Sequence, residues 1–329
     1  MIRIALDAMG GDFAPAEIIK GGIQALAGSD NIEIIFVGRE ESIKKELRRY
    51  KNISGISIVN ATEVISTSES PIQAIKQKKD SSINVAVSLV KEGKADAVVS
   101  AGNTGALMAS ALFGLGRIPG IERPAIASVF PSKKDNVVLL DMGANVDCKP
   151  KHLVQFAKMG SEYAERVLKI NNPKIGLLNI GEEPEKGNEL TTSTYPLLKE
   201  TSLNFVGMVE SKEIFSGKVN VVVCDGFIGN LILKFGESTA AFLFDLIKEE
   251  LSKHPIMKLG VLFLIPALKR INKKVDYDEF GGAELLGLNG VAIKAHGRAK
   301  AKAIKNAVRV AAESVSGEVV AYISKAGEL

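Results

Sequence analysis

The sequence contains no tryptophan, two cysteines, three histidines and only 5% aromatic residues. Cys148 and Cys224 share no CxxC spacing, so no disulfide framework or zinc ribbon is encoded, and scattered thiols of this kind point to a reducing compartment. His152, His254 and His296 lie far apart and no HExxH joins them, so no metal is expected. Missing as well are GxGxxG after a strand, GxxxxGK[ST] and GxSxG, the common dinucleotide, nucleotide and serine-hydrolase signatures, and no cofactor is expected. The net charge is only +4. Lys and Arg are interspersed with Asp and Glu, which gives no nucleic-acid footprint. Near the N-terminus an acid, Asp7, follows the short apolar run Ile4-Ala5-Leu6, too little for a secretory signal, and no apolar run reaches roughly 18 residues. A cytoplasmic setting without a bilayer-spanning segment is therefore expected.

What is present is a globular composition, 46% hydrophobic and 24% charged over 329 residues, enough for a full core. Short β-branched runs at 2–6, 32–37, 97–99, 137–140, 175–178 and 219–223 are apolar without alternation, as strands buried on both faces read. Helical patterns separate them; in one, Leu153, Phe156, Ala157, Gly160, Ala164, Val167 and Leu168 share a face. The alternation predicts a doubly wound, mainly parallel sheet in a three-layer α/β/α arrangement, spanning 1–329 as a single unit without linker or repeat. The last third reads as more helical, with helices at 229–251 and 298–314. Between them, 281–293 predicts two short strands joined by a tight turn at Asn289-Gly290.

Five strands are followed by loops of glycine and small polar residues, at 7–12, 100–105, 141–145, 179–183 and 224–230. In a parallel sheet all carboxyl ends lie along one edge, so these loops are expected to gather into one crevice. Glycines allow backbone N–H groups to approach a ligand, and a helix N-terminus behind the loop favours phosphate. Gly102, Asn103, Thr104 and Gly105, with Gly226 to Asn230, are best placed for this. Plain connectors would use the same glycines for tight turns, but they do not also need Asn103, Asn145, Asn179 and Asn230. Cys224 has no histidine fixed near it by sequence and reads as a buried strand-end thiol.

The segments Asp7-Ala8-Met9-Gly10-Gly11-Asp12-Phe13-Ala14-Pro15, 100–105, 141–145, 224–230, 281–290 and Lys294-Ala295-His296-Gly297 together closely resemble the phosphate acyltransferase (PlsX) family of bacterial phospholipid synthesis, in order and over essentially the whole chain. The resemblance implies transfer of a long fatty acyl group from acyl carrier protein to inorganic phosphate. The acyl phosphate formed would serve a membrane glycerol-3-phosphate acyltransferase. It also implies a homodimer and a fold like that of phosphotransacetylases and isocitrate-type dehydrogenases. Such chemistry needs positioning and charge stabilisation more than strong acids or bases, which suits a site poor in His and Cys.

On this reading Lys186 attracts phosphate, while Asn230 and Asn145 donate to phosphate or to the thioester oxyanion. Gly102, Asn103, Thr104, Gly105, Gly226 and Gly229 form the phosphate and acyl site. Asp225 orients Lys186 or Asn230, or instead caps the following helix, and His296 protonates the departing thiolate. Lys186 also reads as a solvated lysine beside Glu182, Glu183 and Glu185. Three rivals stand beside it: a short-chain acyl-CoA phosphotransacetylase using the same crevice, a dehydrogenase on the related fold, against which stand the missing dinucleotide fingerprint and carboxylate cluster, and a non-catalytic membrane scaffold, which leaves the five polar loops unexplained.

Residues 253–274 contain no acid. Lys258, Lys269 and Arg270 flank the apolar Leu259, Val261, Leu262, Phe263, Leu264, Ile265 and Leu268, a run too short to span a bilayer but suited to an anionic membrane surface. A protruding basic-apolar hairpin is expected there, attached peripherally to the inner face of the cell membrane or packed at a dimer interface. Pro255 and Pro266 break it in either case.

Overall fold

In a computed structural model describing residues 1–51, 53–253, 279 and 281–327, eleven strands form one sheet. They are β1 (Ile2–Asp7), β2 (Ile32–Gly38), β3 (Ile56–Asn60), β4 (Ala97–Ser100), β5 (Ala125–Phe130), β6 (Val137–Leu140), β7 (Ile175–Leu178), β8 (Phe205–Val209), β9 (Val221–Val223), β10 (Ala283–Leu286) and β11 (Val291–Lys294). Their order is β3-β2-β1-β4-β11-β10-β5-β6-β9-β7-β8. The α/β, mainly parallel architecture agrees with the alternating pattern. Its strand directions do not all agree: β10 is antiparallel to both β11 and β5, and β5 is antiparallel to β6. The half holding β6, β7, β8 and β9 therefore runs opposite to the half holding β1 to β4 and β11. The expectation that all carboxyl ends share one edge is corrected accordingly.

The helices are α1 (Ala16–Leu26), α2 (Glu40–Leu47), α3 (Pro71–Gln77), α4 (Ser82–Lys91), α5 (Thr104–Gly114), α6 (Pro150–Arg166), α7 (Glu189–Lys199), α8 (Gly226–Lys253), α9 (Ala301–Ser316) and α10 (Val319–Gly327). On one face of the first half, α1 and α9 bury Ile4, Leu6, Ile34 and Phe36, while α4 and α5 cover Ala5 and Val98 on the other. The α1–α9 contact needs Gly21, since a Cβ there would lie 2.5 Å from Cβ of Ile304. Over the second half α6 packs Leu153, Phe156 and Tyr163 onto Leu140 and Val221. Truncating a fully buried aromatic such as Phe36 costs about 3–5 kcal/mol in such cores.

The predicted helices at 229–251 and 298–314 appear as α8 and α9, and the predicted strand pair as β10 and β11. Their connection, 287–290, is longer than a two-residue turn at Asn289-Gly290, because the register pairs Ala283 with Lys294. The first 25 residues of α8, Gly226–Glu250, are long and apolar enough to cross a bilayer by length and composition, which the count of unbroken apolar residues missed. Its first turns are nevertheless fastened to the sheet. Of the basic-apolar segment 253–274 only Lys253, the last residue of α8, is among the described residues.

Candidate active site

Two buried aspartates end strands of the opposed halves, and each organises the turn that follows. Asp7, at the end of β1, accepts from the Ser100 hydroxyl (2.6 Å) and the Met9 amide (3.1 Å). Asp141, just after β6, accepts from the amides of Ile126 (2.9 Å), Ala144 (3.1 Å) and Asn145 (2.7 Å). Burial raises both carboxyl pKa values, against the pull of these donors. The start of α8 rests on the second turn: a Cβ on Gly226 would lie 2.7 Å from the Asn145 oxygen, and one on Gly229 would strike the Asp141 oxygen.

The opposed halves bring their ends together because the seam strands are short. Ser100 pairs with Lys294, Lys294 with Ala283, and Glu284 with Ala127. From the other side, the Met142 amide donates to the Ile126 oxygen (3.0 Å). Measured along the strands, the ends of β4, β11 and β6 are thus level to within about two residues, while β4 and β6 stand four strand spacings apart, roughly 19 Å, with β11, β10 and β5 between them. There a cavity of about 210 Å³ opens, lined by Thr104, Ser128, Met142, Asn230, Lys234, Lys294 and His296 among others.

Four of the five polar loops, or the helices they begin, belong to this assembly: the 7–12 turn sits beneath it, where a Cβ on Gly10 would lie 2.6 Å from the Gly102 nitrogen. The fifth does not reach it. β7 lies beyond β9, so Lys186 sits on the outer loop, its Nζ 2.8 Å from Glu183, and that partner raises its pKa. Asn179 closes that loop by donating to the Lys186 oxygen (2.7 Å).

Several amides expected to meet a ligand are used by the protein. The Asn145 Nδ2 donates to Pro124 (2.7 Å) and Asp141 (2.9 Å). The Asn103 Oδ1 caps α5 by accepting from the Ala106 amide (3.0 Å), and its Nδ2 holds the 66–69 loop. Gly105 leaves room for Pro71, whose Cγ would be 2.6 Å from an added Cβ. The Gly102 amide donates to Ser100. Asp225 accepts from the Ile228 amide (2.9 Å), the capping geometry, worth about 1 kcal/mol. Cys224 is buried, and desolvation keeps its thiol protonated.

Thr104, Asn230 and His296 do line the cavity, and two further residues join them that the loop argument passed over. Lys294, 9% exposed, ends β11; burial lowers its ammonium to about 8, opposed by Asp7 and Asp12. Ser128, in the middle of β5, is 2% exposed, and its hydroxyl has no hydrogen-bond partner. A buried orphan hydroxyl facing a cavity is a costly arrangement unless a ligand completes it. Lys294 carried a signal, a cation at the end of an apolar run beside His296. The His296 Nδ1 accepts from the Arg298 amide (3.1 Å), which puts the proton of the neutral ring on Nε2, and burial lowers the ring's pKa.

Two opposed, mainly parallel half-sheets covered by helices make this an α/β fold, and solved phosphotransacetylases share it. The fold is similar to that of a phosphotransacetylase from Streptococcus pyogenes, with TM-score 0.64 and 18% identity over 95% of this chain and 94% of the other. It is also similar to EutD phosphotransacetylase from Staphylococcus aureus, with TM-score 0.62 and 16% identity over the same shares, 95% and 94%. The family model described as fatty acid synthesis protein matches residues 2–322, and the chain belongs to that family. The phosphate acyltransferase of Desulfitobacterium hafniense strain Y51 is 55% identical over 99% of this chain and 97% of its own length. That of Pelotomaculum thermopropionicum is 53% identical over 97% and 93%. The chain is an acyltransferase with phosphate as acceptor.

Proposed function

We propose that the chain transfers a long-chain fatty acyl group from the thioester of acyl carrier protein to inorganic phosphate, and that the acyl phosphate serves phospholipid synthesis. The observation that carries this reading is the cavity over β5, where a buried lysine and an unpartnered buried hydroxyl stand beside the N-terminal turn of α5. Phosphate is seated by the Lys294 charge, with Thr104 at the helix terminus and Ser128 supplying hydroxyl donors. The Asn230 amide faces the thioester oxygen. A phosphate oxygen attacks the carbonyl carbon, the oxyanion that forms is held by fixed donors, and the carbon–sulfur bond then breaks. The thiolate is a stable leaving group; His296 donates through Nε2–H as charge develops on sulfur.

Lys186 keeps no direct place in this scheme. Palmitoyl acyl carrier protein and labelled phosphate should yield labelled acyl phosphate with the purified chain; absence of that product would remove the reading. The product's consumer would be a membrane glycerol-3-phosphate acyltransferase. Peripheral attachment through 253–274 and a homodimer complete the proposal. Co-sedimentation with anionic but not neutral vesicles tests the first, and light scattering tests the second.

A further inference from the structure

Beside the polar cavity runs a groove of about 930 Å³, near the top of the size range of small-molecule sites. On α8 it is lined by Leu231, Phe235, Leu243 and Ile247, and on the sheet side by Phe130 and Ile214. Phe235 is 73% exposed and Leu231 58%, so four turns of one helix present large apolar side chains to water without covering them. Patches of that kind on a folded chain mark a binding surface.

Its position names the occupant. Ser128 and Phe130 alternate along β5 and so point to the same side of the sheet, about 7 Å apart. Ser128 lines the polar cavity and Phe130 the groove. On α8, the neighbours Leu233 and Ile232 divide in the same way. The two spaces lie side by side over the first turns of α8, and the groove alone continues to Ile247. From Leu231 to Ile247 the helix advances by about 24 Å at about 1.5 Å per residue. A polar chamber for the reacting carbon thus opens beside a long apolar trough.

Resting on the acyl-transfer reading above, we infer that this groove is the acyl-chain site, and that its length along α8 sets the chain-length preference. The carbonyl carbon sits over Ser128, the first methylenes pass Phe130, and the tail follows α8 toward Leu243 and Ile247. Each methylene buried there adds about fourfold to affinity for the acyl donor.

The experiment places an obstacle partway along. Ala240, which lines the groove, is changed to Trp, and a second protein carries Leu243→Gln. Acyl carrier proteins loaded with octanoyl, dodecanoyl and palmitoyl groups are offered with inorganic phosphate, and kcat/KM is measured for each. Wild type should prefer palmitoyl to octanoyl by at least a hundredfold. Ala240→Trp should compress that preference at least tenfold by a loss confined to the longer chains, and Leu243→Gln should flatten the slope more gently. An unchanged palmitoyl-to-octanoyl ratio in both variants would overturn the inference, as would variants that only shift the oligomeric state in light scattering, which would make the groove a subunit interface. If wild type turns over none of the donors, it is the acyl-transfer reading itself that fails.

Discussion

Lys294 ends a buried strand and Lys186 belongs to the loop that follows one, and both have carboxylates nearby. Lys294 is 9% exposed, and burial brings its ammonium down to about 8. Lys186 keeps 56% of its side chain in water and spends its charge on Glu183 at 2.8 Å. A solvated, paired cation has little field left for a third group, whereas a desolvated one acts at low effective dielectric. The contrast teaches that the lysine at the seam of the opposed strands is desolvated while the one on the outer loop is solvated and paired.

The largest test of that contrast is kinetic. Lys294→Met should lower kcat/KM for phosphate by about 10²–10³-fold, the scale of losing one preorganised charge donor, with a thermal transition no lower than wild type confirming the fold. Lys186→Ala should change it by less than about fivefold. Equal losses would reverse the assignment. Next in size is the anchor of the second half: Asp141→Ala orphans the buried Ile126 amide and the turn amides, and should cost about 3 kcal/mol in urea denaturation. A cost below that of Asp7→Ala would show that the 141–145 turn holds itself.

The pH dependence separates the lysines more finely. With Lys294 as the phosphate cation, KM for phosphate should rise about tenfold per pH unit above about 8; a limb appearing only above 10.5, where a lysine raised by Glu183 would titrate, would point to Lys186. Stability moves the other way. Because folding lowers the Lys294 pKa from 10.5 to about 8, the unfolded chain binds more protons between those values, and stability should climb across that window. The smallest effect belongs to Asp225, where Asp225→Ala should cost about 1 kcal/mol as a lost helix cap and leave the pH limb in place.

Much of this architecture was legible because buried parallel strands are continuous apolar runs; all six expected strands exist. β3 and β8 escaped because they are outer strands, half exposed, the second with Gly207 inside it. β5 escaped because Ser128 interrupts it. The reversal of direction at β10 and β5 could not be read at all, since it depends on a pairing between residues 125–127 and 284–286. The 179–183 loop fell outside the site for a different reason, strand order: β7 runs the same way as β6 and β9 but lies beyond β9, one strand further from the seam. Asn103 and Asn145 were identified as important residue types, but whether an amide faces a ligand or its own turn is a matter of local geometry that spacing leaves undetermined.

The strands that join the two half-sheets are encoded between residues 283 and 294, near the end of the chain. While a ribosome is still making the protein, β1 to β9 can all be present and yet β4 and β5 have no strand to join them. The lysine that fills the chamber arrives with the last of those joining residues. On the proposed role of Lys294, a nascent chain has no phosphate seat until most of it has emerged, and late, long-range pairing of this kind tends to be slow.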